Sequence, residues 1–389
     1  MTLINKLSRQ PKVTQLLQHF QTDLERVLAL SIEIQQIAAP TFEEKVRATH
    51  VQTLFDTVGL ADVEIDGIGN VYGRLAGSGS DRPPVIISAH TDTVFPANTD
   101  LTIRREGQRI FGPGIADNSA GVASLIWLAE SMKAHDVVPP RDIWLVANVG
   151  EEGLGDLNGM RAVYKRFGKS CQYIVLEGGS FGHLIHQGIG VHRFKVTVSA
   201  NGGHSWADFG QSSAIHGMSS IIHQISQIPV PQNPKTTYNI GVVEGGTSIN
   251  TIARTASFLL DLRSIEIDSL KKLQRKVEAI FHKHHDHNGI LVKWEQIGNR
   301  PAGRLDWEHP LVQWSAEALR TVGSRKVEKG ASSTDANIPL ADGAAAVCLG
   351  TANSGNVHRT DEYLDFTNFP KGMGQVLLVA LAAADYGQF

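Results

Sequence analysis

Short apolar runs that alternate with helical segments dominate the first half of the chain, and this alternation constrains the fold most strongly. Strand-like apolar runs occur at residues 85–89, 142–149 and 173–176, while a wide apolar stripe over residues 118–135 predicts a helix. Alternating strands and helices are typical of a parallel sheet with helices on both faces. We therefore predict an α/β fold built on a mixed, mostly parallel sheet flanked by helices.

The pattern changes near Gly190. From there to residue 299 the sequence indicates the order strand, helix, strand, strand, helix, strand, which is the ferredoxin-like split arrangement. Helix and strand patterns like those of the first half return after residue 299. We predict a main domain in two parts, residues 1–189 and 300–389, interrupted by an inserted ferredoxin-like α+β domain at residues 190–299.

The first 60 residues are predicted to be helical. Pro40 disfavours a helical conformation at the residue before it, so one helix should end there. Thr41 is followed three residues later by Glu44, which is the spacing of a capping box. We expect Thr41 to cap a second helix that ends before Gly59.

Composition narrows the class of protein and its expected location. The 389 residues carry a net charge of −3 and no basic stripe, so nucleic acid is not an expected partner. Cys171 and Cys348 lie in apolar surroundings and are predicted to be buried thiols without a disulfide. The N-terminus lacks the apolar core of a signal peptide, and no apolar run approaches 18 residues. We expect a cytoplasmic protein without a membrane span.

Polar residues suited to binding metals follow the predicted strands. In SAHTDTVFP, His90 and Asp92 alternate along a strand end and point the same way. In GPGIADNSAG, Asp117 stands where a helix begins, so it is either a helix cap or a metal ligand on the floor of a cleft. In NVGEEGLGD, Glu151 and Glu152 are adjacent on a loop, so one can bind a metal while the other faces a water molecule. The pattern indicates a cleft with divalent cations and a general base, and thus hydrolysis of an amide.

Other candidates lie further along the chain. Glu177 ends the strand at residues 173–176, and His358 stands in GNVHRTDEYLD; both fit as metal ligands. In the inserted domain, His204 on a glycine turn, Asn250 and Arg263 are suited to holding a carbonyl oxygen or a carboxylate. Each of these residues taken alone is also compatible with a structural role.

Taken together, the motifs of this sequence resemble those of the co-catalytic zinc peptidase and deacylase family that includes peptidase T, carboxypeptidase G and aminoacylase. The likeness spans almost the whole chain and keeps the order of the family's motifs. The motifs are SAHTDTVFP, GPGIADNSAG, NVGEEGLGD, LEGG, GGHS, TSINTIARTASFLLDLRS, GASSTDANIP and HRTDEYLD.

The resemblance implies two divalent cations, with zinc expected and cobalt or manganese as substitutes. His90 and Glu177 would hold one cation, and Glu152 and His358 would hold the other. Asp117 would bridge the two. The resemblance also implies that Glu151 is the general base, which activates a water bridging the metals, and that Asp92 orients His90.

The resemblance further assigns the main domain to catalysis and the inserted domain to a lid that mediates homodimerisation. His204 would stabilise the oxyanion from the partner subunit of a dimer, while Asn250 and Arg263 would hold the substrate. The loop at residues 330–335 would also bind substrate.

The function expected on these grounds is metal-dependent hydrolysis of the peptide bond in short peptides, most simply by an aminopeptidase. The alternative is an amidohydrolase of N-acyl amino acids or carbamoyl compounds, because the ligand set would be the same. A non-catalytic metal-binding scaffold is a third reading, and the intact Glu151 argues against it. A dinucleotide enzyme is disfavoured because the glycines at residues 67–73 lack the required spacing.

Overall fold

A computed structural model of the chain describes residues 1–324 and 327–387. The chain divides into two compact units. The first is formed by Met1–Gly188 together with Arg304–Phe389, and the second by Ile189–Gly303. The second unit is therefore a continuous insertion in the first.

Helices are present in both units. Within the described residues they are α1 (Leu3–Leu7), α2 (Pro11–Thr22), α3 (Leu24–Gln35), α4 (Lys45–Val58), α5 (Ala120–Ala134), α6 (Asn158–Phe167), α7 (Ala214–Ser226), α8 (Ile267–His284), α9 (Pro310–Thr321), α10 (Asn337–Ala341) and α11 (Phe369–Ala383).

Strands in the segment Met1–Gly188 are β1 (Ala61–Ile65), β2 (Val71–Leu75), β3 (Val85–His90), β4 (Arg104–Glu106), β5 (Arg109–Phe111), β6 (Ile143–Asn148), β7 (Gln172–Glu177) and β8 (His183–Gly188). Strands of the insertion are β9 (Gly190–Ser199), β10 (Gly203–His204), β11 (Thr236–Gly245), β12 (Thr251–Ile252), β13 (Thr255–Ser264) and β14 (Leu291–Arg300). The remaining strands are β15 (Gly303–Arg304), β16 (Glu328–Ser332), β17 (Ala345–Gly350), β18 (Asn353–Gly355) and β19 (Tyr363–Asp365).

A nine-stranded sheet forms the centre of the first unit, with the order β1-β2-β6-β3-β7-β17-β8-β15 and β16 added beside β8. The four central strands β6, β3, β7 and β17 are mutually parallel. The outer pairs β1–β2, β2–β6 and β17–β8 are antiparallel. The predicted mixed sheet flanked by helices is confirmed, and its parallel part is the core of the sheet.

Burial explains why these segments fold as they do. Every residue of β3 is buried, and α5 and α11 are buried along nearly their whole length. Trp127 of α5 packs against Phe20 of α2 with ring centroids 4.7 Å apart. Helices that are apolar all round belong in the interior, where each large aliphatic or aromatic side chain gains roughly 1.5–3 kcal/mol from burial.

The second unit has its own four-stranded antiparallel sheet, in the order β11-β13-β9-β14. Helices α7 and α8 pack on it, and α8 buries Leu270, Leu273, Val277 and Phe281 at helical spacing. Chain order and strand order together make the ferredoxin-like arrangement, as predicted. Its buried residues form a hydrophobic cluster separate from that of the first unit.

The predicted capping box is wrong. Helix α4 begins at Lys45, and Glu44 at its N-cap makes no side-chain capping bond. The Thr41 hydroxyl instead donates to Asp92 Oδ2 over 2.9 Å, and the Gly150 N–H donates to Glu44 Oε1 over 3.2 Å. These two side chains bond to neighbouring loops because tertiary partners compete with local capping.

Both cysteines are free and buried, as predicted. Among the described residues, no helix is at once long and apolar enough to cross a membrane.

Candidate metal centre

The ends of parallel strands bring the predicted site residues together. His90 ends β3, Glu177 ends β7, and Glu151 and Glu152 follow β6 by a few residues. Because β6, β3 and β7 are parallel neighbours, their carboxyl ends meet at one edge of the sheet. Ligands of open α/β sheets bind outside the carboxyl ends of the strands.

Asp117 enters this edge from a kinked helical turn before α5. The turn covers Ile115–Ser119, and Asp117 has non-helical dihedrals of φ −113° and ψ 90°. Its Oδ1 lies 3.1 Å from His90 Nε2, and its Oδ2 lies 3.0 Å from His358 Nε2. The two oxygens of one carboxylate therefore face two different imidazoles.

Each imidazole also has a second carboxylate beside it. Glu177 Oε2 lies 3.8 Å from His90 Nε2, and Glu152 Oε1 lies 3.0 Å from His358 Nε2. Ligand atoms of His90, Asp117 and Glu152 all lie within 4.8 Å of one another, so this group could hold a metal ion. The geometry contains two sets of donors that share Asp117.

The pKa shifts of these side chains show how charge is distributed among the donors. Burial opposes ionisation of Asp117, but hydrogen bonds from His358 and His90 lower its pKa below the ordinary value. Burial raises the pKa of Glu152 and of Glu177 to about 7. Hydrogen bonds to Asp117 and Glu152 raise the pKa of His358 to about 10. The protonated imidazoles thus balance the crowded carboxylates in the metal-free chain. A divalent cation would supply this positive charge in place of the protons, because only the neutral imidazole binds a metal, and oxygen and imidazole donors fit such cations.

Asp92 organises the loop that carries the adjacent glutamates. It is fully buried, and its carboxylate accepts hydrogen bonds from the backbone N–H of Glu151 over 3.0 Å and of Glu152 over 2.9 Å. The His90 Nδ1 atom lies 3.1 Å from the Asp92 backbone oxygen and 3.4 Å from its Oδ1. Asp92 therefore contacts both the predicted ligand and the loop of the predicted base.

Glu151 is buried, with 5% of its surface exposed. Its carboxylate contributes to the raised pKa of Glu152, of Glu177 and of the buried Asp335, after the larger effect of burial. Glu151 therefore lies within electrostatic reach of the donor sets. A carboxylate in such surroundings can exchange a proton with a bound water.

Two buried acids belong to this region although the sequence pattern gave them no role of their own. Glu362 accepts three backbone N–H bonds from the turn that carries Asp117. Asp335, in the loop after β16, accepts a bond from Asn148 Nδ2 over 2.7 Å, and its Oδ1 has no hydrogen-bond partner within the part of the chain that the structure describes. Both stand in the motifs HRTDEYLD and GASSTDANIP, and their acidic character was the available signal.

The remaining predicted site residues belong to the inserted unit. His204 in β10 pairs with Thr251 in β12, and the Ser205 N–H donates to the backbone oxygen of Asn250 over 3.0 Å, so His204 and Asn250 lie close along the backbone. Arg263 stands near the far end of β13 and donates to Asp261 over 2.7 Å. Within this unit, the structure brings His204 and Asn250 together and leaves Arg263 apart.

Comparison with known proteins identifies the class. The sequence model described as peptidase family M20/M25/M40 matches residues 86–382. The chain is thus a hydrolase that acts on amide bonds. It belongs to the M20/M25/M40 peptidase family, which confirms the resemblance inferred from the motifs.

Individual relatives are distant but cover most of the chain. A succinyl-diaminopimelate desuccinylase of Delftia acidovorans is 23% identical and covers 88% of this chain and 94% of its own length. Solved structures of a Staphylococcus aureus tripeptidase and of Bacillus cereus aminopeptidase PepT superpose with TM-scores of 0.78 and 0.75. Each structure is 21% identical, and each match covers 92% of this chain and 98% of the other. These two structures support the fold.

Proposed function

We propose that this chain is a metal-dependent exopeptidase that cleaves short peptides, with Glu151 as its general base. The observation that carries the proposal is the position of Asp117, whose two oxygens face His90 Nε2 and His358 Nε2 at 3.1 and 3.0 Å. A carboxylate that presents one oxygen to each of two donor sets is placed to bridge a pair of cations of the two-metal kind.

Zinc is the metal proposed, because imidazole and carboxylate donors suit it, and cobalt or manganese would also be accepted. His90 and Glu177 would hold one cation and Glu152 and His358 the other, with Asp117 between them. Such a pair, when bound, lowers the pKa of water and polarises a carbonyl oxygen.

Glu151 carries the proton in this proposal. It accepts a proton from the water that attacks the scissile carbonyl and returns it to the departing amine. Its loop is held in place by Asp92, which accepts the N–H groups of both Glu151 and Glu152. The contact of Asp92 with His90 Nδ1 supports its proposed second role, which is to orient that imidazole.

The inserted unit has features that support its proposed role in homodimerisation. Strand β11 stands at the edge of its sheet. In its C-terminal half the side chains of Val242 and Val243 are 43% and 52% exposed. An exposed edge strand is a template for pairing with another chain. His204, Asn250 and Arg263 stay proposed substrate-binding residues on the strength of the family resemblance.

The two free, buried cysteines support a reducing compartment, so we propose the cytoplasm as the location.

Exchange of Glu151 for Gln tests the base. Glu151→Gln keeps the shape of the side chain and removes its basicity, so we expect wild-type metal content and a loss of roughly 10²–10⁴-fold in kcat. Metal analysis and peptide hydrolysis are measured on the same preparation. Glu33→Gln, an exposed exchange on α3, serves as the control and should behave as wild type. Wild-type turnover in Glu151→Gln would refute the assignment.

The second candidate function is deacylation of an N-acyl amino acid, and the similarity to a desuccinylase favours it. Measuring kcat/KM on a panel of di- and tripeptides and of N-acetyl, N-succinyl and N-carbamoyl amino acids distinguishes exopeptidase from deacylase activity. Higher kcat/KM on peptides supports the exopeptidase, and higher kcat/KM on the acylated amino acids supports the deacylase.

A further inference from the structure

Glu362 is a fully buried acid whose carboxylate bonds to the backbone of another part of the chain. Oε1 accepts the N–H groups of Ala116 and Asp117, each over 2.9 Å, and Oε2 accepts the N–H of Gly114 over 3.2 Å. The Glu362 backbone oxygen also accepts the Gly112 N–H over 2.9 Å. One residue therefore binds four N–H groups within six consecutive residues.

These N–H groups need an acceptor from outside their own turn. Gly114 has φ +71° and precedes the kinked turn at Ile115–Ser119, in which Asp117 and Asn118 depart from helical dihedrals. The N–H groups at the start of such a turn have no acceptor within it. Buried N–H groups without acceptors cost free energy, and the two carboxyl oxygens of Glu362 supply the acceptors here. Because the Asp117 N–H itself is held, Glu362 fixes the backbone from which the Asp117 carboxylate projects.

The same residue stands next to the segment that carries His358. Strand β19 begins at Tyr363 and pairs with β5, with Tyr363 opposite Phe111. From this ladder one chain segment runs forward from Phe111 to Asp117, and the other runs backward from Tyr363 to His358. Glu362 lies where the two segments leave the ladder, and their far ends meet with His358 Nε2 3.0 Å from Asp117 Oδ2.

We propose that Glu362 is a positioning residue of the metal centre, which holds the Gly112–Asp117 turn against the segment of His358 so that Asp117 can face both imidazoles. This inference rests on the proposed function, because it takes Asp117 and His358 as metal ligands. Glu362 has no role as a ligand or a base in it. Glu362 affects the reaction only by fixing the position of Asp117.

The test compares Glu362→Gln and Glu362→Ala with wild type. Metal is removed with a chelator, zinc affinity is measured by competition with a chromophoric chelator, and the thermal midpoint of the metal-free protein is recorded. The control is Asp142→Asn: Asp142 also accepts a backbone N–H, that of Gly77 over 2.8 Å, but it precedes β6 at the opposite end of the sheet. Peptide kinetics on the zinc-loaded proteins give kcat and KM.

A positioning role predicts that Glu362→Gln binds zinc roughly 10–100-fold more weakly than wild type, as is usual when a residue that orients a ligand is lost. The kcat should fall while KM changes little, Glu362→Ala should show a larger loss, and Asp142→Asn should match wild-type zinc affinity. If Glu362→Gln does not fold, Glu362→Asp, which keeps the carboxyl group on a shorter side chain, is measured in the same way and decides the question.

A lowered thermal midpoint with wild-type zinc affinity and kcat would overturn the proposal, because Glu362 would then only stabilise the fold. The comparison of zinc affinities does not depend on whether the proposed reaction occurs. If wild type binds zinc but cleaves no peptide or acyl amide, the proposed function fails, and the comparison of zinc affinities still decides the role of Glu362.

Discussion

Buried carboxylates hold the loops around the candidate metal centre through backbone N–H groups. Asp92 holds the loop of Glu151 and Glu152, Glu44 holds Gly150, and Glu362 holds the turn of Asp117. Irregular loops have no ladder of their own, so side-chain acceptors replace it. The backbone positions of Glu152 and Asp117 are thus each set by an acid that does not itself need to touch a metal.

Asp335 offers a test at the scale of one residue. It is fully buried, and burial raises its pKa well above the ordinary value, with a further contribution from Glu151. Above about pH 4 the unfolded chain loses this proton while the folded chain keeps it. Stability contributed by this group is therefore complete at low pH and is lost as the pH rises toward the pKa of the folded state.

Asp335→Asn removes this titration and keeps the shape and the bond from Asn148. We expect the variant to gain in free energy of unfolding relative to wild type between pH 5 and pH 8, by up to about 1.4 kcal/mol per pH unit. Urea unfolding of the metal-free proteins at the two pH values measures the difference. An equal difference at both values would contradict the prediction.

Single residues also show which parts of the site could be predicted from the sequence. His90, Glu152 and Glu177 follow recognisable strands, so their convergence follows from the parallel order. The importance of Glu362 depends on which N–H groups lie opposite it, and those belong to a turn some 250 residues earlier in the chain. Sequence spacing carries no information on such a pairing. The roles of the ligands and of Glu151 stay predictions until metals and turnover are measured.

At the scale of elements, the parallel strands and long helices were predictable, because their apolar runs are dictated by burial. Strands β4, β5, β18 and β19 were not predicted: each has three residues, and β4 is exposed throughout. Such strands are defined by their partners, since a three-residue segment has no periodicity to read. They form one small sheet that includes the β5–β19 ladder beside Glu362.

Helix α11 supports a prediction on packing. A Cβ on Gly372 would lie 1.9 Å from the backbone oxygen of Thr351, whereas one on Gly374 would meet only side-chain atoms of Leu17 and Val322 at 3.0 Å. Gly-to-Ala exchange inside a helix is otherwise favourable by about 1 kcal/mol. A clash with backbone cannot be relieved by a rotamer change, so the two glycines should differ.

We expect Gly372→Ala to lower the free energy of unfolding by about 1–3 kcal/mol. Gly374→Ala, its matched control on the same helix, should stay within about 1 kcal/mol of wild type because the methyl groups around it can move. The midpoint of urea unfolding measures both. Equal midpoints for the two variants would show that α11 can shift away from Thr351.

At the scale of the whole molecule, the insertion is a self-contained fold. Its buried residues form a separate cluster, and its first and last long strands, β9 and β14, are neighbours, with Val191 opposite Arg300. The chain therefore enters and leaves the unit at adjacent points. The sequence pattern predicts an inserted domain at residues 190–299, and the second compact unit covers Ile189–Gly303.

Residues 189–303 expressed alone should fold. We expect one cooperative thermal transition and the circular dichroism of a mixed α and β protein, because the unit has a complete core of its own. The complementary variant joins residue 188 to residue 304 by a short Gly-Ser linker and should retain zinc binding. A disordered insertion in isolation would show that it needs the first unit to fold.

The late position of His358 has a consequence for synthesis of the chain. Translation supplies the entire insertion before it supplies β17, His358 and the buried α11, which the surrounding unit requires. A product of interrupted translation that stops before His358 has only one of the two imidazoles that face Asp117. Such a fragment would therefore lack one of the two donor sets proposed to flank Asp117, whatever the state of its other domains.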